Sequence, residues 1–295
     1  MTDFHLQTSL GFIGAGAVGG TLAVALTQAG YRVVAVASRS FTSAQRLAER
    51  LPDCTAYATP QQVVAGCDLV FLTTPDDALG ALASALTWRA GQGVVHCSGA
   101  TSLEVLAHPL SQGALLGALH PFQAVASIEA GLANLPGTTF GIEADGAMRE
   151  FLAAMAQALH GRGIFLTAAD KVLYHLSAVT MGNLLTGLAA TAAQLWEHLG
   201  LSREDGVQAV VAMMRSVTHN IATAGIPAAL AGPYVRGDIG TVRRHLETLH
   251  TRAPEVLPLY RELALAALPF GVEKRALSLK QSQAIQALLK AATSA

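Results

Sequence analysis

Charged side chains are scarce in this chain, and no block of basic residues stands out. Charged residues make up 13% of the sequence, and the formal net charge is −1. Nucleic acids require a clustered cationic face, so the composition argues against a nucleic-acid partner. Aromatic residues are also few, at 5%, whereas hydrophobic residues reach 52%. This combination is typical of a compact α/β protein with closely packed helices and few disordered segments.

Cysteines are few, and neither the cysteines nor the histidines have the spacing of metal ligands. Cys54, Cys67 and Cys97 have no CxxC spacing and form no even-numbered framework, which indicates reduced thiols in a cytosolic protein. The ten histidines show no HExxH motif or paired-cysteine spacing, so we expect no metal site. The opening MTDFHLQTSL has no cationic start followed by an apolar run, unlike a secretory signal. We therefore expect a cytoplasmic location.

One uncharged segment, Leu176–Trp196, is long enough to cross a bilayer. It contains too many polar residues for a helix that faces lipid. These are Ser177, Thr180, Asn183, Thr186, Thr191 and Gln194. We interpret the segment as a helix buried between subunits or domains, and we expect no membrane association.

Short apolar runs alternate with amphipathic helical patterns up to about residue 165. The predicted strands are Leu10–Ile13, Arg32–Ala37, Leu69–Thr73, Val94–Cys97, Leu115–Leu119, Thr139–Ile142 and Ile164–Leu166. The predicted helices between them include Thr21–Ala29, Thr42–Arg50, Asp76–Leu86 and Met148–Leu159. This alternation predicts an α/β fold, with right-handed βαβ units around a doubly wound, largely parallel sheet of the Rossmann type.

The pattern changes after about Thr167, where Leu, Ala and Met recur at helical spacing and strand-like runs cease. Helices are predicted over 168–199, 203–224, 238–252, 255–267 and 279–292. The predicted breaks are Gly200, Ile226–Pro227, Gly232–Pro233, Pro254 and Pro269–Gly271. We therefore place a dinucleotide-binding α/β domain at 1–167 and an all-α C-terminal domain at 168–295.

A glycine-rich turn in the segment GFIGAGAVGG carries the clearest functional signal. Gly14, Gly16 and Gly19 form GxGxxG between a predicted strand and a predicted helix. The first glycine permits the tight turn, the second allows backbone contact with a pyrophosphate, and the third allows close helix packing. The residues expected to bind the dinucleotide are Gly14, Ala15, Gly16, Ala17, Val18 and Gly19. A glycine-rich turn without a ligand is the alternative.

The end of the second predicted strand indicates which dinucleotide is bound. An NAD-binding protein usually places an acidic residue there to hold the ribose hydroxyls, but this chain has Ser38, Arg39 and Ser40. The arginine can pair with a 2′-phosphate, and the serines can donate hydroxyl hydrogens. We therefore favour NADP over NAD. The alternative is an ordinary solvated arginine in an NAD-binding protein.

Several polar residues follow predicted strands, at the edge of the sheet where doubly wound folds bind ligands. Thr74 and Pro75 follow the strand at 69–73 and are expected to border the cofactor. Ser98 and His120 follow the next two strands and could project toward a nicotinamide ring. A hydrogen-bonded structural role is the alternative for these residues.

The first helix of the C-terminal half offers further titratable groups. Thr167 and Asp170 form a predicted capping box, which places Lys171 and His175 on one helix face. A lysine near a helix N-terminus opposes the macrodipole, which favours its neutral form and suits a general acid or base. A surface lysine screened by Asp170 is the alternative. Asn183 lies about 80° round the helix from His175, so it would reach a ligand only from a neighbouring wall. A hydrogen-bonded amide in the core is the alternative.

Arg236 is the candidate for binding an anionic group of the substrate. It lies in GPYVRGD, before a helix that Asp238 is predicted to cap. A guanidinium in this position could clamp a carboxylate bidentately. An arginine that bridges domains is the alternative.

With these residues assembled, the chain resembles Rossmann-like oxidoreductases with a DUF2520 C-terminal domain. These are relatives of pyrroline-5-carboxylate reductase, ketopantoate reductase and the β-hydroxyacid dehydrogenases. The matching segments are GFIGAGAVGG, LHPFQ at 119–123, DKVLYH at 170–175 with Asn183, and GPYVRGD at 232–238. The resemblance implies an NADP-type Rossmann domain, a helical domain that forms a homodimer, and an active site in the cleft between them. The β-hydroxyacid dehydrogenases carry an asparagine four residues after the lysine, where this chain has His175.

Two functions are compatible with these observations. The first is an NADP-dependent oxidoreductase that transfers hydride between nicotinamide and a small carbonyl, hydroxy-acid or imine substrate. Lys171 or His175 would protonate the developing alkoxide or amine, and His120 would orient the substrate. The predicted substrate-binding residues are Ser98, Asn183 and Arg236. The second is a non-catalytic NADP-binding or redox-sensing module with a dimerising helical half, which would bind NADPH without turnover.

Overall fold

The computed structural model describes residues 4–292, and the chain divides into two compact units, Met1–Asn183 and Leu184–Ala295. The first unit contains an eight-stranded sheet. Its strands are β1 Leu10–Ile13, β2 Val33–Ala37, β3 Thr55–Tyr57, β4 Leu69–Leu72, β5 Gly93–His96, β6 Leu115–Pro121, β7 Thr139–Ala144 and β8 Arg162–Phe165.

The strands lie in the order β3-β2-β1-β4-β5-β6-β7-β8. Neighbouring strands pair in parallel except β6 and β7, which are antiparallel. The order of the strands changes direction between β1 and β4, with β2 and β3 on one side and the later strands on the other. Doubly wound sheets bind ligands at this point, at the carboxyl ends of the strands. Strands β1, β4 and β5 are buried along their whole length, as expected for parallel strands covered on both faces.

Helices cover both faces of this sheet. They are α1 Ala17–Gln28, α2 Phe41–Ala48, α3 Pro60–Gly66, α4 Asp76–Ser84, α5 Ala107–Ser111, α6 Ile128–Asn134, α7 Gly146–Ala158 and α8 Ala168–Val179. The successive residues Phe12 and Ile13 belong to different buried clusters, because side chains alternate between the faces of a strand. Phe12 stacks on Phe71 with ring centroids 4.7 Å apart, and the cluster of Ile13 includes Leu72 and Trp88.

The second unit consists of helices around its own apolar core. They are α9 Leu185–Gln194, α10 Arg203–Ala224, α11 Pro233–Arg236, α12 Ile239–Arg252, α13 Leu257–Glu273 and α14 Leu279–Ala291. The core includes Val242, Leu246, Leu257, Leu268 and Ile285. A π-helical segment, Thr180–Leu184, precedes α9. As predicted, the side chain of Asp238 caps α12, accepting a hydrogen bond from the backbone N–H of Thr241 at 3.0 Å.

The fold class predicted from the sequence is confirmed, with two local exceptions. Strand β3, Thr55–Tyr57, was not predicted, because three partly exposed residues are too few to show alternation. The predicted break at Pro269 is wrong, since α13 continues to Glu273. Leu268 and Gly271, on either side of this proline, are both buried. We attribute the continuous helix to this packing, which offsets the local cost of proline.

The segment expected to be buried between subunits or domains lies in a largely exposed helix. By length and composition alone, the helix over Ala168–Leu199 could cross a membrane. Only 6% of its most apolar 18-residue stretch is buried. Its burial in an assembly remains a prediction.

The fold type changes near 167, because β8 ends at Phe165 and α8 begins at Ala168. The compact units divide later, after Asn183.

Candidate functional site

The glycine turn joins β1 to α1 and leaves its outer side open. Gly14 has a φ of +120°, and the hydroxyl of Thr73 donates a hydrogen bond to its carbonyl oxygen at 2.7 Å. A Cβ on Gly19 would collide with that same carbonyl. A Cβ on Gly16 would meet no atom within 4 Å. The first and third glycines are therefore required by close packing, whereas the second faces open space, as a diphosphate-binding turn requires.

Helix α1 presents its N-terminus to the same open space. Gly16 is its N-cap residue, so no side chain bonds to the first backbone N–H groups, and the first turn contains no acidic residue. These N–H groups and the positive end of the helix dipole are thus available to an anion. The turn and helix together fit a pyrophosphate.

The predicted 2′-phosphate site lies at the end of β2. Arg39 is exposed and has no hydrogen bond or ion pair with any residue that the structure describes. The Ser40 hydroxyl accepts a hydrogen bond from the backbone N–H of Ser43 at 3.3 Å and thereby caps α2. The hydroxyl hydrogen of Ser40 and the guanidinium of Arg39 remain available for a phosphate.

Thr74 and Pro75, which were predicted to border the cofactor, follow the end of β4. Pro75 is the N-cap residue of α4. The hydroxyl oxygen of Thr74 is buried and has no hydrogen-bond partner among the described residues. Buried polar atoms are rarely left unpaired, so this hydroxyl is consistent with a ligand that supplies the missing partner.

Ser98, predicted to bind substrate, already has two hydrogen bonds. Its hydroxyl donates to a carboxylate oxygen of Asp76 at 2.7 Å and accepts from the backbone N–H of Thr101 at 3.0 Å. The residue is 5% exposed. The hydroxyl thus fastens the loop after β5 to the start of α4, and its contact with substrate remains a prediction.

His120, near the end of β6, is held by the phenol of Tyr174 on α8. Its Nδ1 lies 3.1 Å from the Tyr174 hydroxyl, and that hydroxyl also accepts a hydrogen bond from the backbone N–H of Gly141 at 3.2 Å. Burial, aided by nearby His175 and Lys171, lowers the pKa of His120 to about 4. The imidazole of His120 is therefore neutral at physiological pH and has a defined orientation.

His120 and His175 line the same cavity, which has a volume of about 230 Å³. Their rings meet edge to face with centroids 5.7 Å apart. Asn183 also lines this cavity. The sequence placed Asn183 well off the face of His175, but that geometry assumed a regular α-helix. The π-helical segment Thr180–Leu184 changes the rotation per residue, and such segments recur at functional sites.

A larger cavity, of about 940 Å³, lies at the opposite edge of the sheet, by the amino ends of β5 and β6. Ligands of doubly wound sheets bind at the carboxyl ends of the strands, so volume alone does not identify the site. The smaller cavity beside His120 is at the carboxyl edge and is the better candidate.

Lys171 is buried beside this site and is not the surface lysine of the alternative interpretation. Its side chain is 2% exposed, and its Nζ lies 3.5 Å from a carboxylate oxygen of Glu143 on β7. Burial lowers the pKa of Lys171, while the charge of Glu143 opposes this shift. The predicted capping box is present, with the carboxylate of Asp170 accepting hydrogen bonds from the backbone N–H and hydroxyl of Thr167. Lys171 is absent from the lining of the smaller cavity.

Arg236 lies at the end of α11, in the second compact unit, and its substrate-binding role remains a prediction. Sequence reasoning overlooked Tyr174 and Glu143. Tyr174 follows Lys171 by three residues, a helical spacing that could have revealed it. Glu143 had no comparable signal, because its contact with Lys171 joins a strand to a helix distant in sequence.

Comparison with known families identifies a domain in each half of the chain. Residues 4–121 match the Rossmann-like domain, and residues 138–267 match DUF2520, a domain of unknown function. The chain therefore contains a Rossmann-like domain followed by a DUF2520 domain, which confirms the resemblance inferred from its motifs. No curated protein matches the chain in sequence.

Several solved structures share this fold. A protein from Bacteroides fragilis, described as a candidate NADP oxidoreductase, is 24% identical, with 89% of this chain and 98% of that chain covered and a TM-score of 0.72. The 1-pyrroline-5-carboxylate reductase of Streptococcus pyogenes is 16% identical, with 99% and 100% covered and a TM-score of 0.64. A reductive aminase from Aspergillus terreus, in complex with NADPH4, cyclohexanone and allyl amine, is 17% identical, with 97% and 93% covered and a TM-score of 0.58. At these identities the likeness concerns the fold.

Proposed function

We propose that this chain is an NADP-dependent oxidoreductase that transfers hydride between nicotinamide and a small carbonyl, hydroxy-acid or imine substrate. One observation carries the proposal. An open glycine turn after β1 and a cavity lined by His120 and His175 lie at the same carboxyl edge of one sheet. The names of the structural neighbours, which include a pyrroline-5-carboxylate reductase and a reductive aminase, support a substrate with a C=O or C=N bond.

The residues suited to hold the cofactor are those of the turn and the end of β2. The open backbone around Gly16 and the N-terminus of α1 suit the pyrophosphate, and Arg39 with Ser38 and Ser40 suits a 2′-phosphate. The unpaired hydroxyl of Thr74 would border the nicotinamide half. When bound, NADPH supplies the hydride for the reaction.

The chain itself contributes orientation and proton transfer. His120 is neutral, so it acts as a hydrogen-bonding group that orients the substrate C=O or C=N bond rather than as an imidazolium acid. We assign protonation of the developing alkoxide or amine to His175, which lines the same cavity. Asn183 would hold the substrate from the cavity wall. Lys171, buried beside Glu143, acts through its charge on this environment.

Cofactor binding is tested by calorimetric titration of the purified protein with NADPH and with NADH. We expect tighter binding of NADPH, and Arg39→Asp should weaken it at least about tenfold because a charge-assisted phosphate contact is lost. The matched control is Arg243→Asp, an exposed arginine on α12, which should leave binding unchanged. Failure of the protein to bind NADPH would refute the proposal. An unchanged preference in Arg39→Asp would assign NADP specificity to other residues.

Turnover is tested with NADPH and a panel of ketones, keto acids and cyclic imines. We expect deuterium from C4-deuterated NADPH to appear stereospecifically in the product, and His175→Gln to lower kcat by about 10²-fold. NADPH binding with no deuterium transfer to any substrate would favour the alternative of a non-catalytic NADP-binding or redox-sensing module.

We also propose that a second copy of the chain covers the helical surface of the second unit. Of the 22 residues of α10, only Gly206 is buried. Val207, Val211, Val217 and Ile221 are exposed on this helix at spacings that favour one face. An apolar helix surface of this extent marks an interaction site.

Light scattering should give the mass of a dimer. Val211→Lys should shift the protein toward monomer, whereas Gln208→Lys, at a polar exposed position of the same helix, should not. Co-sedimentation with lipid vesicles would instead indicate a membrane surface. Such a result would contradict the expected absence of membrane association and the dimer proposed here. The cytoplasmic location, which we propose from the free cysteines, is a separate matter.

A further inference from the structure

We propose that Tyr174 is a positioning residue that holds His120 in the Nε2–H tautomer, so that this ring hydrogen is presented to the cavity as a hydrogen-bond donor. The assignment of the tautomer is inferred from the hydrogen-bond partners of the phenol and is independent of the proposed function. Its role toward the C=O or C=N bond of a substrate rests on the proposed function.

Tyr174 packs against residues of both β6 and β7, through hydrogen bonds of its hydroxyl group with the backbone of His120 and Gly141. Its ring meets His120 edge to face, with centroids 5.5 Å apart, and lies 5.4 Å from the ring of Phe122. A Cβ on Gly141 would lie 2.8 Å from the Cζ of Tyr174, so the glycine makes room for the phenol. Burial raises the pKa of Tyr174 to about 12, which keeps its hydroxyl protonated. The hydroxyl is therefore a fixed donor.

The single hydroxyl hydrogen has two acceptors within reach. The oxygen of Tyr174 lies 3.1 Å from the Nδ1 of His120 and 3.1 Å from its backbone carbonyl oxygen. That carbonyl belongs to a residue that pairs with Gly141 in the β6–β7 ladder, whereas Nδ1 has the phenol as its hydrogen-bond partner among the described residues. In the arrangement that we propose, the hydroxyl donates to Nδ1, because the carbonyl already belongs to the ladder. The hydrogen of the neutral ring must then be on Nε2.

The other ring nitrogen lies in a space left by a glycine, and the ring itself lines the cavity. A Cβ on Gly99 would lie 2.8 Å from the Nε2 of His120 and 2.5 Å from the Cδ2 of His175. Any larger residue at Gly99 would therefore block this nitrogen. The arrangement gives a neutral donor of fixed direction, which can polarise a C=O or C=N bond without giving up a proton.

The tautomer is measured directly by ¹⁵N NMR of the imidazole nitrogens in the cofactor-free protein, with the His120 signals assigned through His120→Gln. We expect the shift pattern of an Nε2–H ring in the wild type near pH 7. In Tyr174→Phe, which keeps the ring but removes the hydroxyl, the pattern should move toward a mixture of tautomers. The matched control is Tyr260→Phe, which removes a hydroxyl 2.7 Å from the Nδ1 of His245 in the second unit. It should change the His245 signals and leave those of His120 unchanged.

An Nδ1–H or charged His120 in the wild type would overturn the proposal, and this outcome needs no variant to fold. Unchanged His120 signals in Tyr174→Phe would overturn it as well. Where turnover is found, Tyr174→Phe should lower kcat/KM roughly tenfold without changing the Kd for NADPH. A protein with the expected tautomer but no turnover would refute the oxidoreductase function and leave the assignment of the hydrogen bond intact.

Discussion

Removal of the carboxylate that faces Lys171 should destabilise the first compact unit in a pH-dependent way. Glu143→Gln keeps the shape of the side chain but leaves the ammonium group without its partner. Lys171 is 2% exposed and Glu143 is 12% exposed, with 3.5 Å between Nζ and the nearer carboxylate oxygen. Solvent therefore offers the ammonium little compensation once the carboxylate is gone.

The expected loss follows from the cost of an unpaired buried charge. Removing one member of a buried pair typically costs about 3–5 kcal/mol. Glu143 retains some exposure and Asp76 also attracts the ammonium, so we expect the lower end, about 3 kcal/mol at pH 7. Burial already lowers the pKa of Lys171 below its ordinary value of 10.5, and loss of Glu143 lowers it further. Between the lowered pKa and 10.5 the unfolded chain binds more protons, so the free energy of unfolding rises with pH through that window.

Urea unfolding at pH 7 and pH 10 would measure both the loss and its pH dependence. Because Trp88 lies in the first unit and Trp196 in the second, a Trp196→Phe background would make fluorescence report the first unit. Glu150→Gln, an exposed position on α7, is the matched control and should be neutral. The double variant with Lys171→Met should recover part of the loss, since it removes both charges. A Glu143→Gln protein as stable as the control at pH 7, or equally destabilised at both pH values, would refute the reasoning.

Three further results are expected. Gly16→Ala should lower NADPH affinity by about tenfold while the melting temperature stays unchanged, and Gly66→Ala, also facing open space, should affect neither in calorimetry. Ser98→Ala should cost about 1–3 kcal/mol in urea unfolding because two hydrogen bonds of a buried hydroxyl are lost; a neutral result would contradict this. Burial lowers the pKa of His96 to about 3 and of His120 to about 4, so the native state binds fewer protons and stability should fall from pH 7 to pH 5, by about 2 kcal/mol for each histidine. Replacement of either by Gln should reduce that slope.

The sheet could be predicted because the patterns that indicate it lie within short stretches of sequence. Strands such as β1 and β4 are unbroken apolar runs, and the glycine turn between β1 and α1 follows from chain geometry that holds wherever this pattern occurs. Strand β3 at the edge of the sheet has too few buried residues to produce a periodic signal. Proline at 269 gave a false signal, because the local preference against a helix is weaker than the packing of α13 in its core.

The sequence indicated several residues of the candidate site but not their contacts. Residue type and spacing indicated Lys171, His175 and His120, yet they could not distinguish a solvated lysine from one that is 2% exposed. That difference depends on Glu143, which reaches Lys171 through the packing of a helix on a strand. The position of Asn183 was also beyond local rules, since a single π-helical turn rotates every residue that follows it.

Burial lowers the pKa of both Lys171 and His120, but the two groups have different partners. The lysine has a carboxylate as its partner, so its charge is offset by Glu143. Burial lowers the pKa of His120, and its phenol partner supplies a hydrogen bond but no charge that would oppose this shift. The positive charges of His175 and Lys171 lower the pKa of His120 further, whereas Asp76 opposes this shift. The paired lysine and the neutral His120 are consistent with our proposal that His175, which lines that cavity, delivers the proton.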